Sequence, residues 1–227
     1  MAAPGASDTV VVVTGGDPIA PDAVQEVPPG ATVVAADSGV DHALRLGLAV
    51  HLAVGDFDSV TDEGLARITE REAVIERHPA AKDHTDLELA LTAALELAPR
   101  RIHVLGGYGG RLDHLLANAL VLAAPWLADV QVTARMGAAR VTVVRRHAEV
   151  RGEPGELVSL LAVHGPARSV TTEGLAYPLA AESLQPGSSR GVSNVLVARR
   201  AAVSLADGVL LVIQPGPLAS LPEDVPC

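Results

Sequence analysis

The sequence is poor in aromatic residues, cysteine and lysine. Aromatic residues make up 2% of the chain while apolar residues make up 48%, so the core must be built from Val, Leu and Ala. Its one cysteine, Cys227, cannot form an internal disulfide, which suits a reducing compartment. No cluster of Cys and His residues has the spacing of a zinc site. These absences exclude a disulfide scaffold and a zinc module.

Long apolar runs and excess positive charge are also missing. No uninterrupted apolar run approaches the roughly 18 residues that a membrane span needs. The N-terminal sequence MAAPGASD lacks the basic and apolar regions of a signal peptide. The formal net charge of −10 argues against a nucleic-acid-binding or anionic-membrane surface. We therefore expect a cytoplasmic protein with no nucleic-acid or membrane partner.

The chain alternates strand and helix patterns up to about residue 140. Continuous apolar strands between helices predict a parallel sheet covered on both faces. After residue 140, short β-rich runs are separated by turn clusters such as RGEPGE and QPGSSRG, and convincing helices vanish. The predicted fold is an N-terminal parallel-sheet α/β/α domain, residues 1–140, followed by a smaller all-β sandwich domain, residues 141–227.

Five carboxylates fall after strands and before helices. In a parallel sheet these positions gather at the carboxyl ends of the strands, where ligands bind. Each acid alone could also be a cap, a turn residue or a first-turn acid of a helix. Together they predict a cluster of like charges that needs a counter-ion, and Mg²⁺ prefers such oxygen ligands. The five are Asp37, Asp56, Asp58, Asp83 and Asp86.

Phe57, the only phenylalanine, lies between two of these acids. Alternation in an extended segment would turn Phe57 inward while Asp56 and Asp58 face a cleft.

A glycine-rich loop leads into a second polar group, in LGGYGGRLDHLLAN at 105–118. Glycines allow backbone N–H groups to approach an anion, and Arg111 offers a planar fork for phosphate oxygens. Arg111, His114 and Asn118 fall on one face of an apolar helix. The stripe could face a ligand or simply solvent. The loop matches neither a P-loop nor a clean G-x-G-x-x-G.

The one lysine, Lys82, stands beside Asp83 in AKDHTD, either by chance or as a phosphate-neutralising ammonium. Acids, arginine and glycine loop together indicate a Mg²⁺-dependent enzyme acting on a phosphorylated substrate. Phosphoryl or pyrophosphoryl transfer needs metal, a basic clamp and alignment more than covalent help.

An ordered set of motifs resembles the thiamine pyrophosphokinase (thiamine diphosphokinase) family over nearly the whole chain. The motifs are AADSG at 35–39, GDFDS at 55–59, KDHTD at 82–86, GGRLDHLLAN at 109–118, GLAYPL at 174–179 and GVSN at 191–194. The resemblance implies an α/β ATP-binding catalytic domain and an all-β thiamine-binding domain. It also implies a homodimer with the active site at the subunit interface. The implied reaction moves the pyrophosphoryl group of ATP to the hydroxyethyl oxygen of thiamine and releases AMP.

The resemblance also implies roles for residues. The implied catalytic residues are Asp56, Asp58, Asp83, Asp86 and Lys82. The implied metal ligands are Asp56, Asp58 and Asp86, with Mg²⁺ as the ion. The implied nucleotide-binding residues are Asp37, Gly109, Gly110, Arg111, Asp113, His114 and Asn118. Ser193 and Asn194, with Asp86, would contact thiamine.

The motifs depart from the family at two places. Ser38 stands where the family usually has Gly, and Val195 follows Asn194 where an acid is frequent. The C-terminal region has no tryptophan, and we expect the only one, Trp126, to lie in the core. Two other functions remain open: a Mg²⁺-dependent nucleotide phosphohydrolase and a non-catalytic nucleotide-binding regulator on the same fold.

Overall fold

The computed structural model describes residues 8–79 and 83–216. Within these ranges a ten-stranded sheet and a four-stranded sheet account for fourteen strands, and four α-helices accompany the larger sheet. The helices are α1 (Gly39–Arg45), α2 (Asp62–Glu70), α3 (Asp86–Glu96) and α4 (Leu112–Val121).

One half of the large sheet is parallel. Its strands are β1 (Thr9–Val13), β2 (Thr32–Ala36), β3 (Leu52–Gly55), β4 (Val74–Arg77), β5 (Arg101–Leu105) and β6 (Gln131–Met136). They lie in the order β6-β5-β1-β2-β3-β4 with every neighbouring pair parallel. The chain adds β2, β3 and β4 on one side of β1 and then crosses over to add β5 and β6 on the other side. The topological switch point therefore lies at β1. This is the position at which α/β sheets bind ligands.

The parallel half is buried on both faces. Within β1, Val10 and Val12 pack with α3, while Val11 and Val13 pack with α1 on the opposite face. Alternate residues of a strand point to opposite faces, so the four successive valines of β1 contribute to two apolar layers at once. The predicted parallel α/β/α domain is confirmed.

The other half of the large sheet is antiparallel and forms one layer of a β-sandwich. It contains β7 (Ala139–Val144), β9 (Leu157–Ala162), β12 (Asn194–Val195) and β14 (Leu210–Gln214) in the order β12-β9-β14-β7. The second layer contains β8 (His147–Arg151), β10 (Ala167–Glu173), β11 (Glu182–Leu184) and β13 (Arg200–Ser204). Leucines and valines from both layers form a separate core between them. The predicted β-sandwich is thereby confirmed.

Strand β7 connects the two halves, because it pairs with β6 on one side and β14 on the other. The predicted domain boundary at residue 140 falls inside this strand, and the division into two domains stays a prediction.

Helix α4 is shorter than the long helix that the sequence predicts for 112–128. It ends at Val121, and a turn leads into a 3₁₀ helix, Pro125–Leu127. The residue before a proline is disfavoured in the helical conformation, which explains the break before Pro125. Trp126 lies in that 3₁₀ helix with 41% exposure, so the expectation of a core tryptophan was wrong. No helix in the described residues is long and apolar enough to cross a bilayer.

A group of charged side chains fixes a short 3₁₀ helix, Pro21–Glu26, to the sheet. Glu26 accepts hydrogen bonds from Arg135 at 2.7 Å and Arg140 at 3.2 Å, and His103 Nε2 lies 3.4 Å from its other oxygen. His103 and the two arginines hold the pKa of Glu26 at about 2, although burial acts in the opposite direction. This group ties together β5, β6 and β7.

Candidate active site

A cleft of about 850 Å³ opens at the carboxyl ends of the parallel strands. It contains the five acids that the sequence placed after strands, together with the glycine-rich loop and part of α4. The predicted residues that line it are Asp37, Asp56, Asp58, Asp83, Asp86, Gly109, Gly110, Arg111, His114 and Asn118. The structure therefore brings these separate segments into one site.

Asp37 is the most buried acid of the cleft. It follows β2 directly, is 8% exposed and has a positive φ of 44°. Its Oδ1 is buried with no hydrogen-bond partner in the described part of the chain. Burial raises the pKa of Asp37, and the charges of Asp86, Asp56 and Asp58 raise it further. The negative charge of Asp37 is therefore costly unless a proton or a cation neutralises it.

Phe57 anchors the loop that carries Asp56 and Asp58. The ring is 7% exposed and packs with the core beneath α1, as predicted. The conformation differs from the prediction, because Phe57 has a left-handed φ of 64° where an extended segment was expected. The guanidinium of Arg77 stacks over the ring at 5.0 Å from its centre. Side-chain alternation therefore does not explain the burial; a turn and a cation–π contact do.

The loop is also fixed at its far end. Asp41 of α1 accepts hydrogen bonds from the backbone N–H of Thr61 at 2.9 Å and from its hydroxyl at 2.6 Å. Thr61 in turn caps α2 by accepting from Gly64 N. Both ends of the loop are thus held by neighbours, and the acids between them project into the cleft.

Three carboxylates converge closely enough to hold one metal ion. One oxygen from each of Asp37, Asp56 and Asp58 lies within 4.8 Å of the other two. Mg²⁺ takes oxygen ligands of this kind, and the unpartnered Oδ1 of Asp37 has no other described charge partner. The predicted metal set was Asp56, Asp58 and Asp86. In the converging group Asp37 takes the place of Asp86, which lines the same cleft from α3.

Helix α3 brings Asp86 to the cleft. Thr85 caps the helix by accepting a hydrogen bond from Glu88 N at 3.2 Å, so Asp86 is the first helical residue. Leu87 next to it is buried in the core and fixes the direction in which Asp86 points. Asp83 is exposed at the cleft margin. Lys82 lies outside the described residues.

Two glycine loops meet backbone to backbone at the floor of the cleft. Gly107 N donates to Gly15 O at 2.8 Å, and Asp17 N donates to Tyr108 O at 2.8 Å. A Cβ on Gly16 or Gly106 would collide with a carbonyl oxygen of the opposite loop. Glycine is required here because no side chain fits between the two chains.

Helix α4 presents the predicted polar stripe to the cleft. Arg111, His114 and Asn118 all line it, and Asn118 Nδ2 donates to Gly107 O at 3.3 Å. Asp113 is not part of the lining. Its carboxylate binds the guanidinium of Arg111, which raises the pKa of Arg111 and lowers that of Asp113. Asp113 therefore acts on the cleft through Arg111.

Ser193 and Asn194 lie outside this cleft. Asn194 borders a second cleft of about 410 Å³ in the β-sandwich, together with Tyr177 and Val192. Both polar atoms of its amide make hydrogen bonds, because Oδ1 accepts from the N–H groups of Tyr177 and Val195 and Nδ2 donates to Tyr177 O. Ser193 is exposed with φ 58°. The two clefts share no lining residue.

Sequence reasoning missed several uncharged residues of the main cleft. Thr14, Gly15 and Gly16 line it after β1, and Ser38, Ser59, His84 and Thr85 complete its wall. The glycine pair after the valine-rich strand was a signal equal to those at the other strand ends. The prediction rested on charged side chains and therefore left out Gly15 and Gly16.

Comparison with known proteins agrees with this geometry. The model of the thiamin pyrophosphokinase catalytic domain matches residues 27–134, and that of the thiamin pyrophosphokinase vitamin B1 binding domain matches 143–210. The thiamine pyrophosphokinase of Bacillus subtilis strain 168 is 29% identical over 216 residues, 91% of this chain and 98% of that protein.

Solved structures give the same result. The crystal structure of thiamine pyrophosphokinase from Bacillus subtilis superimposes with a TM-score of 0.82 at 28% identity, covering 92% of this chain and all of that one. The thiamin pyrophosphokinase family protein of Enterococcus faecalis gives a TM-score of 0.75 at 30% identity, covering 92% of this chain and 98% of that one. With both domain models matched in order and relatives aligned over nearly their full length, this chain belongs to the thiamine pyrophosphokinase family of enzymes.

Proposed function

We propose that this enzyme transfers the pyrophosphoryl group of ATP to the hydroxyethyl oxygen of thiamine, giving thiamine diphosphate and AMP. The observation that supports this most strongly is the convergence of Asp37, Asp56 and Asp58 in one cleft with Arg111. Acids for a metal and a fork for phosphate are the two parts that such a transfer requires. The expected compartment is the cytoplasm.

The chain's own residues would align the reactants. The thiamine hydroxyl oxygen forms a bond to the β-phosphorus of ATP while the bond from that phosphorus to the α–β bridging oxygen breaks. AMP leaves with the bridging oxygen. Asp86, at the start of α3 and inside the cleft, is placed to accept the hydroxyl proton. Arg111 would bind phosphate oxygens and offset the charge that develops toward AMP.

Asp37, Asp56 and Asp58 would hold Mg²⁺ through carboxylate oxygens. The buried Oδ1 of Asp37, which has no partner among the described residues, fits this assignment because a cation would remove the cost of burying it. When bound, Mg²⁺ neutralises phosphate charge and polarises the phosphorus that is attacked. The glycine loops that meet at Gly15 and Gly107 line the floor of the cleft and would lie beneath the triphosphate.

We infer further that two copies of the chain form the complete site. Helix α4 has three leucines on one exposed stripe: Leu112, Leu116 and Leu120, at 69%, 54% and 44% exposure. An apolar stripe at this spacing belongs against a partner. It lies on the helix that also carries Arg111, so a second copy seated there would border the cleft. This would bring the second cleft, beside Asn194, from the other subunit to the reacting atoms.

The assembly is tested by sedimentation velocity on Leu116→Glu. We expect a dimer for the unchanged chain and a monomer of reduced activity for the variant. Leu97→Glu is the matched control, since Leu97 is a leucine 44% exposed just after α3. A fully active dimer of Leu116→Glu would contradict the inference.

The reaction is tested by measuring AMP from ATP and Mg²⁺, with and without thiamine. We expect AMP only with thiamine, together with equimolar thiamine diphosphate. AMP without thiamine would favour a nucleotide phosphohydrolase, and ATP binding with no AMP would favour a regulator. Asp58→Asn and Asp86→Asn should abolish turnover and keep the fold. Asp129→Asn, an exposed acid outside the cleft, should remain active.

A further inference from the structure

Helix α4 carries residues of the main cleft, called the nucleotide cleft below, but few of its side chains pack against the core. None of its residues is buried, and only Leu115 and Val121 pack partly against the core beneath it. Arg111, just before the helix, and His114 and Asn118 within it line the cleft. The position of these three side chains therefore depends on how the ends of the helix are fixed.

The C-terminal end is held by side chains from the β-sandwich half. Arg145, directly after β7, donates from Nη2 to the carbonyl oxygens of Ala123 and Ala124, both at 2.8 Å. His164, after β9, donates from Nε2 to Leu120 O at 3.0 Å. These carbonyls lie at and just beyond the end of α4, where Leu120 O also accepts from Ala123 N and Ala124 O from Leu127 N.

Arg145 is committed to this one contact. Its Nε is buried without a hydrogen-bond partner in the described residues, and burial lowers the pKa of the guanidinium. A cation at a helix C-terminus also interacts favourably with the partial negative charge there. Burying a guanidinium whose Nε is unpartnered costs free energy, so general stabilisation is a poor explanation for the residue.

Both side chains come from the part of the chain that matches the vitamin B1 binding domain, and both reach a helix of the catalytic part. We propose that Arg145, assisted by His164, is a positioning residue that sets α4 and hence Arg111 and His114 in the nucleotide cleft. The proposal rests on the proposed function, since it assigns Arg111 and His114 to ATP. It makes nucleotide binding depend on two residues outside the nucleotide cleft.

The test compares Arg145→Gln and Arg145→Lys with the unchanged enzyme. The affinity for Mg²⁺·ATP is measured by calorimetry, and the KM values for ATP and thiamine by AMP formation. Losing two charged hydrogen bonds should weaken ATP binding about three- to tenfold in Arg145→Gln. The ATP affinity of Arg145→Lys should lie between that of Arg145→Gln and that of the unchanged enzyme, because an ammonium can still reach the carbonyls. The KM for thiamine should change less than twofold.

Arg146→Gln is the matched control, because Arg146 is the exposed neighbour of Arg145 and should leave both substrates unaffected. A lower melting temperature in Arg145→Gln with unchanged ATP affinity would overturn the proposal, because it would reduce the contact to stabilisation. Equal weakening of ATP and thiamine would overturn it as well.

His164→Asn provides a second variant should Arg145→Gln not fold. Asparagine tolerates the left-handed φ of 58° at this position but is too short to reach Leu120. A folded His164→Asn should bind ATP more weakly with unchanged thiamine KM, and unchanged ATP affinity would then overturn the proposal. Calorimetric ATP binding does not require turnover, so it decides the proposal even if no AMP forms. Failure of the unchanged chain to bind Mg²⁺·ATP would overturn both proposals.

Discussion

The guanidinium of Arg111 and the carboxylate of Asp113 form a two-point ion pair, with Nε to Oδ1 at 3.1 Å and Nη2 to Oδ2 at 2.6 Å. The same Asp113 oxygen, Oδ1, accepts from His114 N at 3.0 Å. Both side chains are exposed, so the pair is readily exchanged for another anion. Arg111 is thereby held along the first turn of α4, and in the proposed function its guanidinium would exchange this partner for phosphate.

We predict that Arg111→Gln raises the KM for ATP about ten- to hundredfold, the effect of losing a charged bidentate contact. Steady-state kinetics with varied ATP measures it. Arg168→Gln is the control, since Arg168 forms an exposed ion pair with Asp207 at 3.8 Å outside the cleft. An unchanged KM in Arg111→Gln would remove Arg111 from the phosphate site.

We predict that Asp37→Asn stabilises the metal-free protein and removes its response to Mg²⁺. Since the folded-state pKa of Asp37 is raised, its ionisation costs stability, and this cost grows as pH rises from the unfolded-state pKa through the folded-state pKa. Asparagine removes the charge and accepts the positive φ. Calorimetry in EDTA should show a higher melting temperature, where about 2–4 °C corresponds to about 1 kcal/mol.

In the same calorimetric series, Mg²⁺ should raise the melting temperature of the unchanged chain and leave that of Asp37→Asn almost unaltered. Asp129→Asn should behave as the unchanged chain. An equal Mg²⁺ response in Asp37→Asn would show that Asp37 is not a ligand.

We predict that Glu26→Gln destabilises the fold at neutral pH by no more than about 3 kcal/mol, the value of a fall in pKa from 4.5 to about 2. A depressed carboxyl pKa contributes stability above pH 4.5 that is lost as pH falls toward 2. Denaturant unfolding from pH 7 to pH 2 should therefore show the two proteins converging. Glu149→Gln, in an exposed pair with Arg151, should show little difference at any pH.

We predict that Gly109→Ala impairs ATP binding more than Gly110→Ala does. Both glycines have positive φ, 86° and 64°, so both alanines carry backbone strain. Only at Gly109 would the new Cβ overlap another group, the carboxylate of Asp17. Calorimetric titration with Mg²⁺·ATP compares the two, and equal affinities would show that the contact between the loops does not shape the site.

The sequence alone could place the acids because a simple rule governs them: polar residues after parallel strands share one edge. Asp56, Asp58 and Asp86 follow that rule, and so does Arg111 after its glycine loop. The conformation of Phe57 could not be predicted, because a left-handed turn at a bulky residue is imposed by its tertiary packing, including the contact with Arg77.

Two further features needed the structure. Asn194 belongs to a motif that suggests a ligand contact, yet its side-chain amide makes its hydrogen bonds to Tyr177 within the β-sandwich. Arg145 binds two carbonyls beyond the end of α4 that lie 21 and 22 positions earlier in the chain. No local pattern in the sequence indicates this contact.

The ten-stranded sheet has a mechanical consequence for catalysis. Its backbone hydrogen bonds run without a break from β4, beside the loop that carries Asp56 and Asp58, through β7 to β12, which contains Asn194. A continuous sheet of this kind is rigid. Its parallel and antiparallel halves therefore cannot rotate about a hinge as the lobes of many kinases do. Closure over the reactants would instead come from surface loops and, in the proposed dimer, from the facing subunit. The enzyme would then tune its turnover by assembly and loop motion, while the distance between its two clefts within one chain stays fixed.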